Sequence, residues 1–185
     1  IGMFLVANFV GGTAVRDYQH KFDGIHFSTP VTDAQYLWGR FAGCVLFALF
    51  VFLAVPLGTL IGSFWPTVDP ERLGATQLVP YLWSYLLFVI PNFLFCGVLF
   101  YAFALKARTM MLMYVGVVAF YMLYEMTGLM FDNPDLRSIA ILLDPFGFGA
   151  FSEITRYWTP HERNTQLVAF EGALLTNRLL WLSVT

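Results

Sequence analysis

The sequence predicts an all-α, polytopic transmembrane helical bundle. Three observations lead there. Of its 185 residues, 58% are hydrophobic and only 12% are charged, with a mean hydropathy of +0.68. Soluble domains run at about 45–50% apolar and about 25% charged, so a chain this short has no core large enough to hide its apolar surface from water. Long apolar runs alternate with polar breaks, and each complete run reaches the roughly 20 residues that a bilayer-crossing helix needs. Amphipathic aromatics (Trp65, Tyr81, Trp83 and Tyr85) gather where two of the runs meet a break, as they do at membrane interfaces.

Residues 1–15 are uncharged but too short to span alone, so they read as the later part of a truncated span. Residues 16–40 form a polar segment with Arg16, Asp17, His20, Lys21, Asp23, Asp33 and Arg40. A second run covers about 41–65 without a charge, and Pro56 with its neighbouring glycines predicts a kink that membrane helices tolerate. A short polar loop precedes a third run at about 78–105, which contains Pro80 and Pro91. After the basic break Lys106–Arg108, a fourth run at about 109–131 carries one ionisable residue, Glu125. Residues 132–178 make a long amphipathic loop, and 179–185 read as the start of a further, truncated span. The whole of 1–185 is thus expected to be one membrane domain, cut at both ends. Lys106 and Arg108 in a tight acid-free break put that break in the cytoplasm by the positive-inside rule, and parity puts 16–40 there and 132–178 outside.

Segment 16–40 has a readable plan. Gly24 breaks a short amphipathic stretch, Ser28-Thr29-Pro30 is a turn because proline biases its predecessor away from helix, and Thr32-x-x-Gln35 fits a capping box that starts a new helix. Asp33 falls in that helix's first turn, where the dipole favours an anion. The order of span, polar segment with S-T-P-V, capped turn and G-R entering the next span resembles type-2 ABC transporter permeases, over the length of the chain. That resemblance implies a membrane-spanning permease part of an ABC exporter, multi-pass in a bacterial inner membrane. It further implies that Asp23, Gly24, Phe27, Ser28, Thr29 and Pro30 couple to a cytoplasmic ABC ATPase subunit. The ATPase would bind ATP and Mg, leaving no cofactor in this chain, and a second permease half, as a homodimer or on the same polypeptide, would complete the pore. The plainer alternative for 23–30 is an interfacial loop anchored by Phe22 and Phe27. The stretch DPFGFGAFSEITRYWTPHERN with NRLLW is similar to bacterial permeases fused to a zinc aminopeptidase-like domain.

Other chemistry is poorly served. His161-Glu162 lacks the second histidine of H-E-x-x-H, no G-x-x-x-x-G-K-[ST] loop is present, and His20, His26 and His161 are scattered. No catalytic residue, metal site or enzymatic activity is expected in this chain. A net charge of −2 gives no electrostatic case for nucleic acid. Glu125 and Asn92 are the candidate intramembrane polar sites. An ionisable group in lipid is costly and marks function by default, which keeps open an ion-coupled secondary transporter with Glu125 as its site. The plainer alternatives are solvation of Glu125 at the interface or its pairing with a loop arginine, and interhelical hydrogen bonding for Asn92. A membrane anchor for a fused zinc metallopeptidase is the other competing function. Gly11-Gly12, Gly39-x-x-x-Gly43 and Gly58-x-x-x-Gly62 suggest close helix packing or dimerisation.

Overall fold

A computed structural model describes residues 2–19, 31–65, 77–132 and 135–185. The described residues are almost entirely helical and contain no strand. We number the α-helices α1 (Gly2–Val6), α2 (Gly12–Gln19), α3 (Asp33–Phe52), α4 (Ala54–Ser63), α5 (Val79–Ser84), α6 (Ile90–Ala107), α7 (Met110–Gly128), α8 (Arg137–Leu143), α9 (Phe148–Ile154), α10 (Pro160–Thr165) and α11 (Gly172–Val184). π-Helical turns at Ala7–Gly11 and Tyr85–Val89 join α1 to α2 and α5 to α6. Among the described residues, three helical stretches are long and apolar enough to cross a membrane: Asp33–Ser63, Val79–Ala107 and Met110–Gly128.

Local chemistry explains the ends and breaks of these helices. The Thr32 N–H donates to Gln35 Oε1 and the Gln35 N–H donates to Thr32 Oγ1, both at 3.3 Å, so the capping box read from sequence opens α3. The helix stops at Phe52 because Pro56 cannot donate to that carbonyl and its ring crowds it; the ladder resumes when the Leu57 N–H donates to Leu53 O at 3.2 Å. Pro80 sits in the first turn of α5, where its missing N–H costs nothing. Pro91 lies just beyond the π-turn at Tyr85–Val89, a wider winding that accommodates the interrupted ladder. Between α6 and α7, Arg108 takes a left-handed conformation (φ 56°) and Thr109 Oγ1 accepts from the Leu112 N–H at 3.4 Å, so a reversal is made in very few residues.

The chain divides into two compact units. The first comprises Ile1–Phe52 and Phe93–Leu123, with Thr185. Its interior is made by Val6, Val10 and Val15 with Phe41, Val45, Phe100, Met113 and Val117, all buried. Edge-on and tilted aromatic pairs fix neighbours: Phe9 with Phe47 at 5.1 Å, Phe52 with Phe93 at 4.8 Å, and Phe41 with Tyr101 at 5.4 Å. Polar groups are tied across helices, as apolar surroundings require: Tyr114 Oη donates to Asn8 Oδ1 at 3.3 Å and Tyr101 Oη to Leu37 O at 3.2 Å. Close approach depends on Gly11, Gly97 and Gly116, where an added Cβ would meet Met113, Val45 and Phe103 respectively. Of the predicted packing glycines, Gly11 and Gly12 have close neighbours in Met113 and Met110, whereas a Cβ on Gly39, Gly43, Gly58 or Gly62 would meet nothing within 4 Å. Spacing alone does not say which glycines have a neighbour.

The second unit comprises Leu53–Asn92 and Tyr124–Val184. Its core joins Leu87, Ile141, Ala150, Val168 and Leu174, with Trp83, Phe88, Phe131 and Trp158 packed against them. Helices α8, α9 and α11 contribute Ile141, Ala150 and Leu174 to this cluster, and the unit contains a buried polar centre where the three helices meet.

Candidate functional site

Helix α8 ends at Leu143, and the next residues, Asp144-Pro145-Phe146-Gly147, make a turn. Proline cannot continue α8, and Gly147 supplies the left-handed conformation (φ 72°) that starts α9. The Gly147 N–H donates to Asp144 O at 3.3 Å. The Asp144 carboxylate holds the turn from inside: Oδ1 accepts from the Phe146 N–H at 2.9 Å and Oδ2 from the Gly149 N–H at 2.6 Å. It thereby satisfies free donors at the N-terminus of α9 and complements the dipole there.

The turn's carbonyls need donors of their own, and adjacent residues on α11 supply them. Asn177 Nδ2 donates to Ile141 O at 2.7 Å and Asp144 O at 2.8 Å. Arg178 donates through Nη2 to Pro145 O at 3.0 Å, and through Nε and Nη2 to Asn177 Oδ1 at 3.1 and 2.7 Å. Its remaining arm, Nη1, reaches Asn92 Oδ1 at 2.8 Å, while Asn92 Nδ2 donates to Phe146 O at 3.2 Å. Asp144, Asn177 and Arg178 are each no more than 1% exposed. A planar guanidinium suits such a cluster, because its fixed fork meets Pro145 O, Asn177 Oδ1 and Asn92 Oδ1 from three different directions at once. Among the described residues, no buried side-chain nitrogen or oxygen lacks a partner.

Gly147 is constrained twice. A Cβ there would lie 2.3 Å from Arg178 Nη2 and 2.6 Å from Cζ, and the backbone conformation already disfavours a side chain. Gly149 lets the Phe131 ring approach, since a Cβ would stand 2.5 Å from it. Around the turn, Tyr124 packs edge-on to Phe146 at 4.8 Å, and Phe88 meets Phe148 and Phe151 at 6.1 and 5.6 Å. The result is a rigid clasp that ties the turn after α8 to α11 and to Asn92, beside Pro91 at the start of α6.

A cleft of about 410 Å³ borders the clasp, lined by Tyr124, Glu125, Arg137, Asp144, Phe148 and Ser152 among others. Glu125 is exposed there. Arg137, the arginine on the same cleft, is engaged elsewhere: its Nε and Nη2 both lie 2.7 Å from Glu153 Oε2.

Of the residues singled out from sequence, Asn92 enters the clasp and Glu125 borders it. Asp23, Gly24, Phe27, Ser28, Thr29 and Pro30 lie outside the described residues. Asp144, Gly147, Asn177 and Arg178 were missed. The D-P-x-G turn and the Asn-Arg pair at the mouth of an apolar run are the sequence signals by which they can be found. The described residues hold no group of three His, Cys, Asp or Glu placed to bind a metal. The arrangement suits mechanical positioning.

Compared with known proteins, residues 1–149 match the family model described as ABC-2 family transporter protein. No curated protein and no solved structure matches the chain.

Proposed function

From a chain that belongs to the ABC-2 family of transporter proteins, a multi-pass membrane family, we propose the membrane-spanning permease part of an ABC exporter in a bacterial inner membrane. ATP hydrolysis by a partner ATPase drives substrate across the bilayer through this chain and a second permease half. The observation that carries the reading is the family match over residues 1–149, which takes in all three candidate spans. ATP and Mg belong to the partner ATPase in this scheme.

Segment 23–30 is the contact with the ATPase. Support comes from the neighbouring helix on its C-terminal side: α3 starts at a reciprocal cap and runs on for 20 residues. A capped helix entering a span is stiff enough to pass a push at its cytoplasmic end into the membrane. In the proposed orientation the 132–178 loop is on the outer side. There the clasp makes the loop move with the span that bears Asn92, so that the loop acts as an outer lid rather than a free connection.

The test is co-purification of the full-length protein with its ATPase, before and after replacing 23–30 by a Gly/Ser linker of equal length. Loss of the ATPase with retained membrane insertion is the expected result; undiminished association sinks the coupling assignment. The family match concerns a transporter and gives no support to a fused peptidase. An ion-coupled secondary transporter would instead lose transport on Glu125→Gln and show no dependence on nucleotide.

A further inference from the structure

A second cleft lies within the same unit as the clasp but separate from it, and neither the coupling segment nor the clasp uses it. It has a volume of about 570 Å³, within the range of roughly 300–1,000 Å³ typical of ligand pockets. One wall is the beginning of the span Val79–Ala107, including Trp83, Leu87 and Phe88; the other runs from Phe151 through Arg156 to Arg163 and Val168.

Two contacts fix its depth. Phe88 packs edge-on against Phe151 at 5.6 Å, and Trp83 Nε1 donates to Val168 O at 2.8 Å. Five helical residues correspond to about 7 Å of rise, so the Phe88 end lies deeper along the span than the Trp83 end. With the membrane surface taken at the start of the span near Val79, the cleft crosses the boundary between headgroups and acyl chains.

Its chemistry is divided to match. Leu87, Phe88 and Phe151 make an apolar floor, while Arg156 and Arg163 line the cleft with exposed guanidiniums. Arg163 donates to Thr155 O at 3.3 Å and Arg156 lies over the Tyr157 ring at 5.3 Å. Neither makes an ion pair with a carboxylate among the described residues, whereas neighbouring Arg137 is matched to Glu153. Two positive charges beside an apolar slot complement a negatively charged lipid.

We propose that this cleft binds one anionic phospholipid of the surrounding bilayer, its phosphate on Arg156 and Arg163 and an acyl chain over Leu87, Phe88 and Phe151. Bound there, the lipid fills the space between the span and the loop and fixes their separation.

The experiment is native mass spectrometry of the full-length protein, delipidated and offered equal amounts of phosphatidylglycerol and phosphatidylcholine. The wild type should retain phosphatidylglycerol preferentially, and Arg156→Gln with Arg163→Gln should reduce that preference on the order of tenfold. Arg156→Lys with Arg163→Lys should keep most of it, and Lys106→Gln should leave it unchanged. Ser84→Trp, at an exposed position on the cleft wall, narrows the slot without touching charge or the buried core; it should lower retention of phosphatidylglycerol and thus guards against a folding defect in the double variant. Equal retention of the two lipids by the wild type, or a preference surviving the double glutamine change, overturns the proposal. Displacement of the lipid by millimolar inorganic phosphate alone also overturns it, since that identifies an anion site that needs no acyl chain.

Discussion

Arg178 Nη1 donates to Asn92 Oδ1 at 2.8 Å, joining a guanidinium on α11 to the amide beside Pro91 on α6. The bond closes a network in which each buried polar group has a use. Asp144 serves the N–H groups of the turn, Asn177 and Arg178 serve its carbonyls, and Asn92 serves both Arg178 and Phe146. In apolar surroundings an unmet donor or acceptor has no water to turn to, so the network stands or falls largely together.

Removing one member should therefore cost more than its own bonds. Arg178→Met takes the donor from Pro145 O, Asn177 Oδ1 and Asn92 Oδ1, and removes the positive charge nearby that complements the buried Asp144 carboxyl. The expected loss is about 3–5 kcal/mol, read as a lowered unfolding temperature in detergent. Asn92→Ala should cost about 1–3 kcal/mol. The double variant should fall short of the sum by more than about 0.5 kcal/mol, because the second change removes a partner already lost. Strict additivity would show that the two residues do not act as a unit.

Gly147 and Gly172 offer a matched comparison. Both have positive φ, 72° and 56°, but a Cβ on Gly172 meets nothing within 4 Å while one on Gly147 meets the Arg178 guanidinium at 2.3 Å. Gly172→Ala should cost only the left-handed penalty, about 1–2 kcal/mol. Gly147→Ala should cost distinctly more, and in an Arg178→Met background its excess over Gly172→Ala should shrink. Equal costs in the wild-type background would argue against the close approach.

The fold class was legible because it rests on one-dimensional quantities: apolar run length, the scarcity of charge and the punctuation by proline. The start of α3 was legible for the same reason, since Thr32 and Gln35 act on each other within one turn. The kink expected from Pro56 is the break between α3 and α4. The clasp was not legible. In a count of loop charges Arg178 stands with Arg137, Arg156 and Arg163, yet it is buried and they are not. Its acceptors on Asn92 and Pro145 are far away in sequence, and only tertiary packing brings them to the guanidinium. Asn92 was recognised as a polar group needing an interhelical partner, but nothing local identified that partner.

A second cap, on α10, should report its own titration. Glu162 Oε2 accepts from the Thr159 N–H at 2.7 Å and from Thr159 Oγ1 at 2.8 Å, and the Glu162 N–H returns a bond to Thr159 Oγ1. The backbone bond first, then the side-chain bond, favours the ionised form and holds the carboxyl below its ordinary value. With the folded value lowered, the cap's contribution is fully present above the ordinary glutamate range and is lost as pH falls through the lowered value. A carboxyl-carbon NMR titration should place the Glu162 midpoint below that of an ordinary glutamate. Thr159→Ala should return it toward that value, and a midpoint unmoved by the substitution would contradict this origin.

The cap at the start of α3 links stability to the proposed coupling. Thr32→Ala removes the acceptor for the Gln35 N–H, and Gln35→Ala removes the acceptor for the Thr32 N–H. Each should cost about 0.5–2 kcal/mol, concentrated in the first turn because the rest of α3 keeps its ladder. If segment 23–30 pushes on the span through this turn, fraying it should leave ATPase association intact. It should lower the fraction of ATP hydrolysis that yields transport. Thr32→Ser retains the acceptor and should retain the coupling. The decisive measurement is the ratio of substrate moved to ATP hydrolysed in proteoliposomes. A ratio unchanged in Thr32→Ala, with the first turn shown by hydrogen exchange to be frayed, would mean that the force enters the membrane by another route.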